Sequence, residues 1–269
     1  MTSPYWTRQR VEALRRELSD RDEAVIRSLA TVRLATGEQL RRAHFVDVPS
    51  AERQCRRSLT RLVSRRVLVR LSRQAGGRGG GSQSFTFALD VAGQRLAYIG
   101  GPANGQRWRT PWIPNRMFLG HALRVTELYV QLVEAERVGG CELLGFHTEP
   151  MCWRYYTAPS GARATLKPDA FVRLARGTRF EDAWFVEVDC DTETRPTLAR
   201  KFQAYRSHWQ SGQEQRAHDS YPQVLWLVPS SARRQVLVDV ASSQPGPSRD
   251  LHLVHLFQDG AGAMQGGDR

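Results

Sequence analysis

The sequence predicts a two-domain protein of mixed α and β structure, class α+β / α/β. A basic, mainly helical N-terminal half ends in a glycine-rich hairpin. The C-terminal half sets helices around a mixed sheet. Three observations carry this. The 269 residues are 41% apolar and 25% charged, enough for two ordinary cores in a water-soluble composition. The net charge of +12 belongs to one end: residues 1–116 hold 22 basic and 9 acidic side chains, whereas 117–269 hold 17 and 18. Apolar spacing is helical up to Val67 and then breaks into a hairpin, and beyond residue 117 helical and strand-like stretches alternate.

From Asp20 the chain reads as three helices. The first, 20–34, spaces Val25, Ile26, Leu29, Val32 and Leu34 along one side. Thr36 opens T-G-E-Q, a Thr-x-x-Gln capping box that starts a short second helix through Leu40 and Phe45. Pro49 and Ser50 open a third, 51–67, with Cys55, Leu59, Leu62 and Val63 as its apolar side. Its other side carries Arg53, Arg56, Arg57, Thr60, Arg61 and Ser64. Strands at 67–73 and 84–90 flank the tip QAGGRGGGSQ, where Arg73 and Arg78 can reach phosphate or the minor groove. This order predicts a winged helix-turn-helix over 1–99, with the third helix entering the major groove of double-stranded DNA. A positive excess confined to this half fits a polyanionic partner.

Residues 100–116 form the expected linker, 117–259 the second domain and 260–269 a disordered tail. The second domain opens on a long helix, 117–138. Strands follow at 141–147, 166–174 and 183–189, then a helix at 195–209 opened by Thr194 and Pro196. A strand at 221–229, a helix at 231–241 and a strand at 251–257 complete it. If 166–174 and 183–189 pair about Gly177-Thr178, opposed residue numbers sum to about 356. Asp169 then faces Glu187 and Lys167 faces Asp189, all on one side, because strand side chains alternate. Carboxylates this close repel unless a cation or proton lies between them. Mg²⁺ or Mn²⁺ is the natural occupant, since it takes one or two carboxylates plus substrate phosphate. Lys201, with Tyr205 one turn on, lies on the helix that follows and can swing to the same place.

Only Lys167 and Lys201 among the 39 basic residues are lysines. A surface that needs only positive potential can use arginine, but a site needing a compact or titratable amine must keep lysine. The four cysteines show no CxxC pairing and read as core residues or free thiols. His121 and His147 read as structural, and Trp153 and Tyr155 as core or interface residues. No run reaches the roughly 18 apolar residues of a membrane helix, and MTSPYWTRQR holds no signal peptide. A cytoplasmic, nucleoid- or plasmid-associated protein without membrane contact is expected.

The pattern P-D, then E-x-D, then a helical Lys resembles the PD-(D/E)XK nuclease superfamily. That resemblance implies Asp169 and Glu187 as metal ligands, Glu127 on the preceding helix as an additional acidic ligand, and a lysine that helps activate water. The usual E-x-K would place lysine where Asp189 stands, and Lys201 is the substitute. Nearly the whole chain, through the helix-turn-helix, AGGRGGGSQSFTFALDVAGQRL, FLGHALRVTELY, EPMCWRYY, LKPDAFVRL and EVDCDTE…KFQAY, is similar to actinobacterial replication-relaxation proteins. This implies DNA processing, by nicking or relaxing, on plasmids or other mobile elements, with a homodimer and a replication or relaxase protein as further partners. The alternative is a winged-helix replication accessory factor or repressor whose nuclease-like domain serves dimerisation or partner docking.

Overall fold

The computed structural model describes residues 6–46, 49–71, 85–98, 115–177 and 180–266. The chain divides between Val130 and Gln131, inside one long helix, into two compact units.

In the first unit, α1 (Arg8–Arg16) and α2 (Asp20–Val32) precede a two-residue strand β1 (Ala35–Thr36), then α3 (Gly37–His44) and α4 (Ala51–Ser64). Strands β2 (Leu68–Leu71) and β3 (Thr86–Leu89) and helix α5 (Val91–Ala97) follow. The three strands form one sheet, order β1-β3-β2, with Leu68 opposite Leu89. The expected Thr36 box is present: Gln39 N donates to Thr36 Oγ1 and Thr36 N donates to Gln39 Oε1. Ser19 and Asp22 make a second box at α2. Ser50 opens α4 in a left-handed conformation without a side-chain cap. The core joins Val25, Ile26, Leu29, Leu40, Phe45, Leu59, Leu62, Leu68 and Phe87.

Helix α6 (Arg116–Arg137) begins where the sequence analysis starts the second domain. Its first half nevertheless completes the first unit. Leu119, Ala122 and Leu123 pack on Leu34, Leu71 and Ala88, and Thr126 Oγ1 donates to Leu34 O at 2.6 Å. The tip of the expected wing, with Arg73 and Arg78, lies outside the described residues, as does nearly all of the expected linker.

The second unit is built on a five-stranded mixed sheet, order β10-β9-β8-β7-β4. Its strands are β4 (Glu142–Thr148), β7 (Ala170–Arg176), β8 (Phe180–Val188), β9 (Gln223–Val228) and β10 (His252–Leu256). β7 pairs antiparallel with β4 and β8, and β9 pairs parallel with β8 and β10. A separate ribbon, β5 (Arg154–Thr157) with β6 (Arg163–Leu166), interrupts the run from β4 to β7. Helices α7 (Arg195–Gln210), α8 (Gln213–His218) and α9 (Ser231–Ser242) complete the frame. Thr194 caps α7 through its side chain, and Phe202 of that helix stacks on Trp226 of β9 at 4.5 Å between ring centroids. Residues 260–264, expected in a disordered tail, form α10. The reason is one apolar side chain: Met264 is fully buried, which anchors a segment whose composition otherwise suggests no structure.

Candidate functional site

The β7–β8 ladder has the expected register. Ala170 opposes Val186 and Phe171 opposes Phe185, so opposed numbers sum to 356. Asp169 extends the ladder by one residue: its N–H donates to Val186 O at 3.0 Å, and its Oδ2 accepts from Val188 N at 2.7 Å. Beside it, Glu187 points from the middle of the sheet towards α7 and is only 2% exposed. Lys201 Nζ donates to Glu187 Oε2 at 2.8 Å and Tyr205 OH to Oε1 at 2.7 Å. Lysine and tyrosine four residues apart on one helix therefore grip the two oxygens of one carboxylate. Lys201 also pairs with Glu193 Oε1 at 2.8 Å. Nothing in the sequence analysis singled out Glu193; the acidic residue just before the Thr194 cap was the available signal.

The electrostatics follow from burial and crowding. Burial, and then the Asp169 charge, push the Glu187 carboxyl up to about 7 against the opposing pull of Lys201 and Tyr205. Burial alone would lower Lys201, but Glu187, Asp169 and Glu193 outweigh it and hold the amine above its ordinary value. Lys201 is thus held as an ammonium by the carboxylates around it. Burial and the neighbouring Glu187 raise Tyr205 well above the ordinary phenol, so it stays protonated and donates. Three carboxylates (Asp169, Glu187 and Glu193) act on one ammonium. Hard oxygen donors in negative surplus fit a small divalent cation. Among the described residues no three His, Cys, Asp or Glu side chains cluster as a ligand set, but Mg²⁺ needs only one or two carboxylates when water and phosphate supply the rest.

Three candidate residues sit elsewhere than expected. Asp189, expected on the same patch as Asp169 and Glu187, is 4% exposed and locked to Arg233 of α9. Arg233 Nη2 and Nε approach Asp189 Oδ2 at 2.6 and 3.1 Å, and Nη2 also donates to Glu193 O at 2.8 Å. Lys167 does not face Asp189. β6 ends at Leu166 in the ribbon with β5, and Lys167, just past that end and before Pro168, lies 4.3 Å over the Trp153 ring. Glu127 is held within the first unit, where Arg42 and Gln39 donate to its two oxygens.

On α4 the side chains of Arg53, Arg56, Arg57, Thr60, Arg61 and Ser64 are all exposed, opposite buried Cys55, Leu59 and Leu62. Arg61 is committed to the fold. Its Nη2 reaches Asp22 Oδ1 and Oδ2 at 2.7 and 2.6 Å, and Asp22 is fully buried. Burial alone would raise Asp22, but Ser58, Ser19 and Arg61 together hold it below its ordinary value. Arg53 reaches Ser50 Oγ at 3.3 Å, and Ser64 Oγ turns back to Arg61 O. Arg56 and Arg57 make no ion pair among the described residues. A cleft of about 810 Å³ runs beside this helix, lined by Arg56, Thr60, Ser64, Arg70 and Phe85 among others.

No helix among the described residues is long and apolar enough to cross a membrane. The chain matches the family model described as replication-relaxation over residues 26–224, well over half its length. No curated protein and no solved structure matches it significantly.

Proposed function

The chain belongs to the replication-relaxation family, and from that membership we propose a DNA-binding protein with a divalent-metal nuclease site that nicks or relaxes plasmid or other mobile-element DNA. The observation that carries the catalytic half is the convergence of Asp169, Glu187 and Lys201 from a hairpin and the helix that follows it. Asp169 and Glu187 are the metal ligands in this reading, for Mg²⁺ or Mn²⁺. A divalent ion there supplies Lewis acidity to a phosphate oxygen and acidifies a bound water. Tyr205 and Lys201 fix the Glu187 carboxylate, and the Lys201 ammonium steadies charge that develops on the phosphate. Asp189, tied to Arg233, has a supporting role.

The N-terminal unit is read as a winged helix-turn-helix, with α4 as the helix that enters the major groove. The exposure of Arg53, Arg56, Arg57 and Thr60 supports this, whereas Arg61 orders α4 against α2. Arg56→Ala/Arg57→Ala is expected to weaken duplex binding and to reduce the slope of log affinity against log salt by about 2, about one unit per lost phosphate contact. Fluorescence anisotropy across a salt series reads both.

The ion pair that occupies Asp189 favours a second reading, a non-catalytic replication factor or repressor whose second domain serves dimerisation or docking. Thermal melting separates the two. With Mn²⁺ at about a hundred times its Kd, the nuclease reading expects a rise on the order of 5 °C, absent in Asp169→Ala. An unchanged midpoint in wild type supports the binder.

A further inference from the structure

The β5–β6 ribbon leads straight into Pro168 and Asp169, and its two faces differ in chemistry. The inner face carries Tyr156 and Leu166, both buried, and Arg154, whose guanidinium lies 4.3 Å over Phe171 and is bonded to Glu214. The outer face follows by alternation. With Tyr155 opposite Thr165 and Thr157 opposite Arg163, the register places Trp153 across from Lys167 one step further on. Those six outward positions hold two aromatics, two threonines and two cations, and no acid. Tyr155 is 67% exposed, an unusual position for a large ring. Lys167 is held over the Trp153 ring at 4.3 Å, and Trp153 is itself fixed by its bond to Glu149 Oε1 at 3.2 Å.

We propose that this outer face is a binding platform for single-stranded DNA, which it delivers to Asp169 and Glu187. The inference rests on the nuclease reading for the destination of the strand, but not for the binding itself. An exposed ring beside pre-placed cations is what an unstacked base and its phosphate require: the base stacks on Tyr155, and Lys167 and Arg163 meet the backbone. A paired duplex keeps its bases stacked on one another and offers the ring no open π-face. The absence of acidic groups from the outward positions complements a polyanion. The substrate class implied is DNA with an unpaired segment, as at a melted origin or a nicked strand.

The test is binding of full-length protein to fluorescein-labelled dT12 and to a 20-base-pair duplex, measured by anisotropy in EDTA. Tyr155→Ala is expected to weaken dT12 binding about tenfold or more, with duplex binding unchanged, whereas Tyr155→Phe keeps wild-type affinity. Lys167→Gln is expected to weaken dT12 binding and lower its salt dependence. The proposal is overturned if wild type does not bind dT12, if Tyr155→Ala binds it as tightly as wild type, or if both DNAs are lost equally. A shift in oligomeric state on Tyr155→Ala with dT12 binding intact also overturns it and assigns the face to a protein contact. Failure of the nuclease reading would show separately, as the absence of metal-dependent cleavage with these binding differences preserved.

Discussion

Arg233→Met is expected to destabilise the second unit by about 3–5 kcal/mol, the cost of leaving a buried charge without its partner. Asp189 and Arg233 are both almost fully buried, with Nη2 and Oδ2 2.6 Å apart. The guanidinium also ties Glu193 O and approaches Asp191, so its removal frees the whole turn between β8 and α7. Urea unfolding of the variant checks the magnitude. The double variant Asp189→Leu/Arg233→Met is expected to recover a large part of the loss, because no charge then remains buried. A single variant as stable as wild type would show that the pair does not hold this turn.

Lys201→Met is expected to reduce metal-dependent DNA cleavage about 100-fold, in the range found when one preorganised donor to developing charge is removed. The ammonium sits 2.8 Å from both Glu187 Oε2 and Glu193 Oε1, a gap that suits a compact ion. Arginine keeps the charge, but its planar fork is longer and directs its donors differently. Lys201→Arg is therefore expected to stay within about tenfold of Lys201→Met, scaled to the same preorganisation effect. Single-turnover cleavage rates with duplex affinity measured in parallel give the comparison. Wild-type rates in the arginine variant would mean that only charge is required there.

What was legible in the sequence is what local rules determine. The two-residue period of strands, with Gly177 just after β7 at φ +59, fixes the β7–β8 register and so the placement of Asp169 beside Glu187. The boxes and caps at Thr36 and Thr194 are local hydrogen-bond patterns and formed as expected. The partner of Asp189 was not legible. Arg233 lies 44 residues away on another helix, and no periodicity links the two. Lys167 was misplaced because the run 166–174 reads as one strand, whereas Pro168 cannot donate to a ladder and the chain changes partner there, from β5 to β8. Arg61 looked like any other exposed arginine of α4. Its role became visible only when α2 brought buried Asp22 against it.

The two lysines have also separated. Lys201 is a buried-site ammonium shared by two carboxylates, and Lys167 is a surface cation stacked on an aromatic ring.

The most direct test of a metal-dependent nuclease is the conversion of supercoiled plasmid to nicked circles by purified protein with Mg²⁺ or Mn²⁺. Wild type is expected to nick, EDTA to stop it, and Asp169→Ala to lose at least about 100-fold in rate while binding duplex DNA as wild type does. Equal nicking by Asp169→Ala, or none by wild type with either metal, would contradict the account.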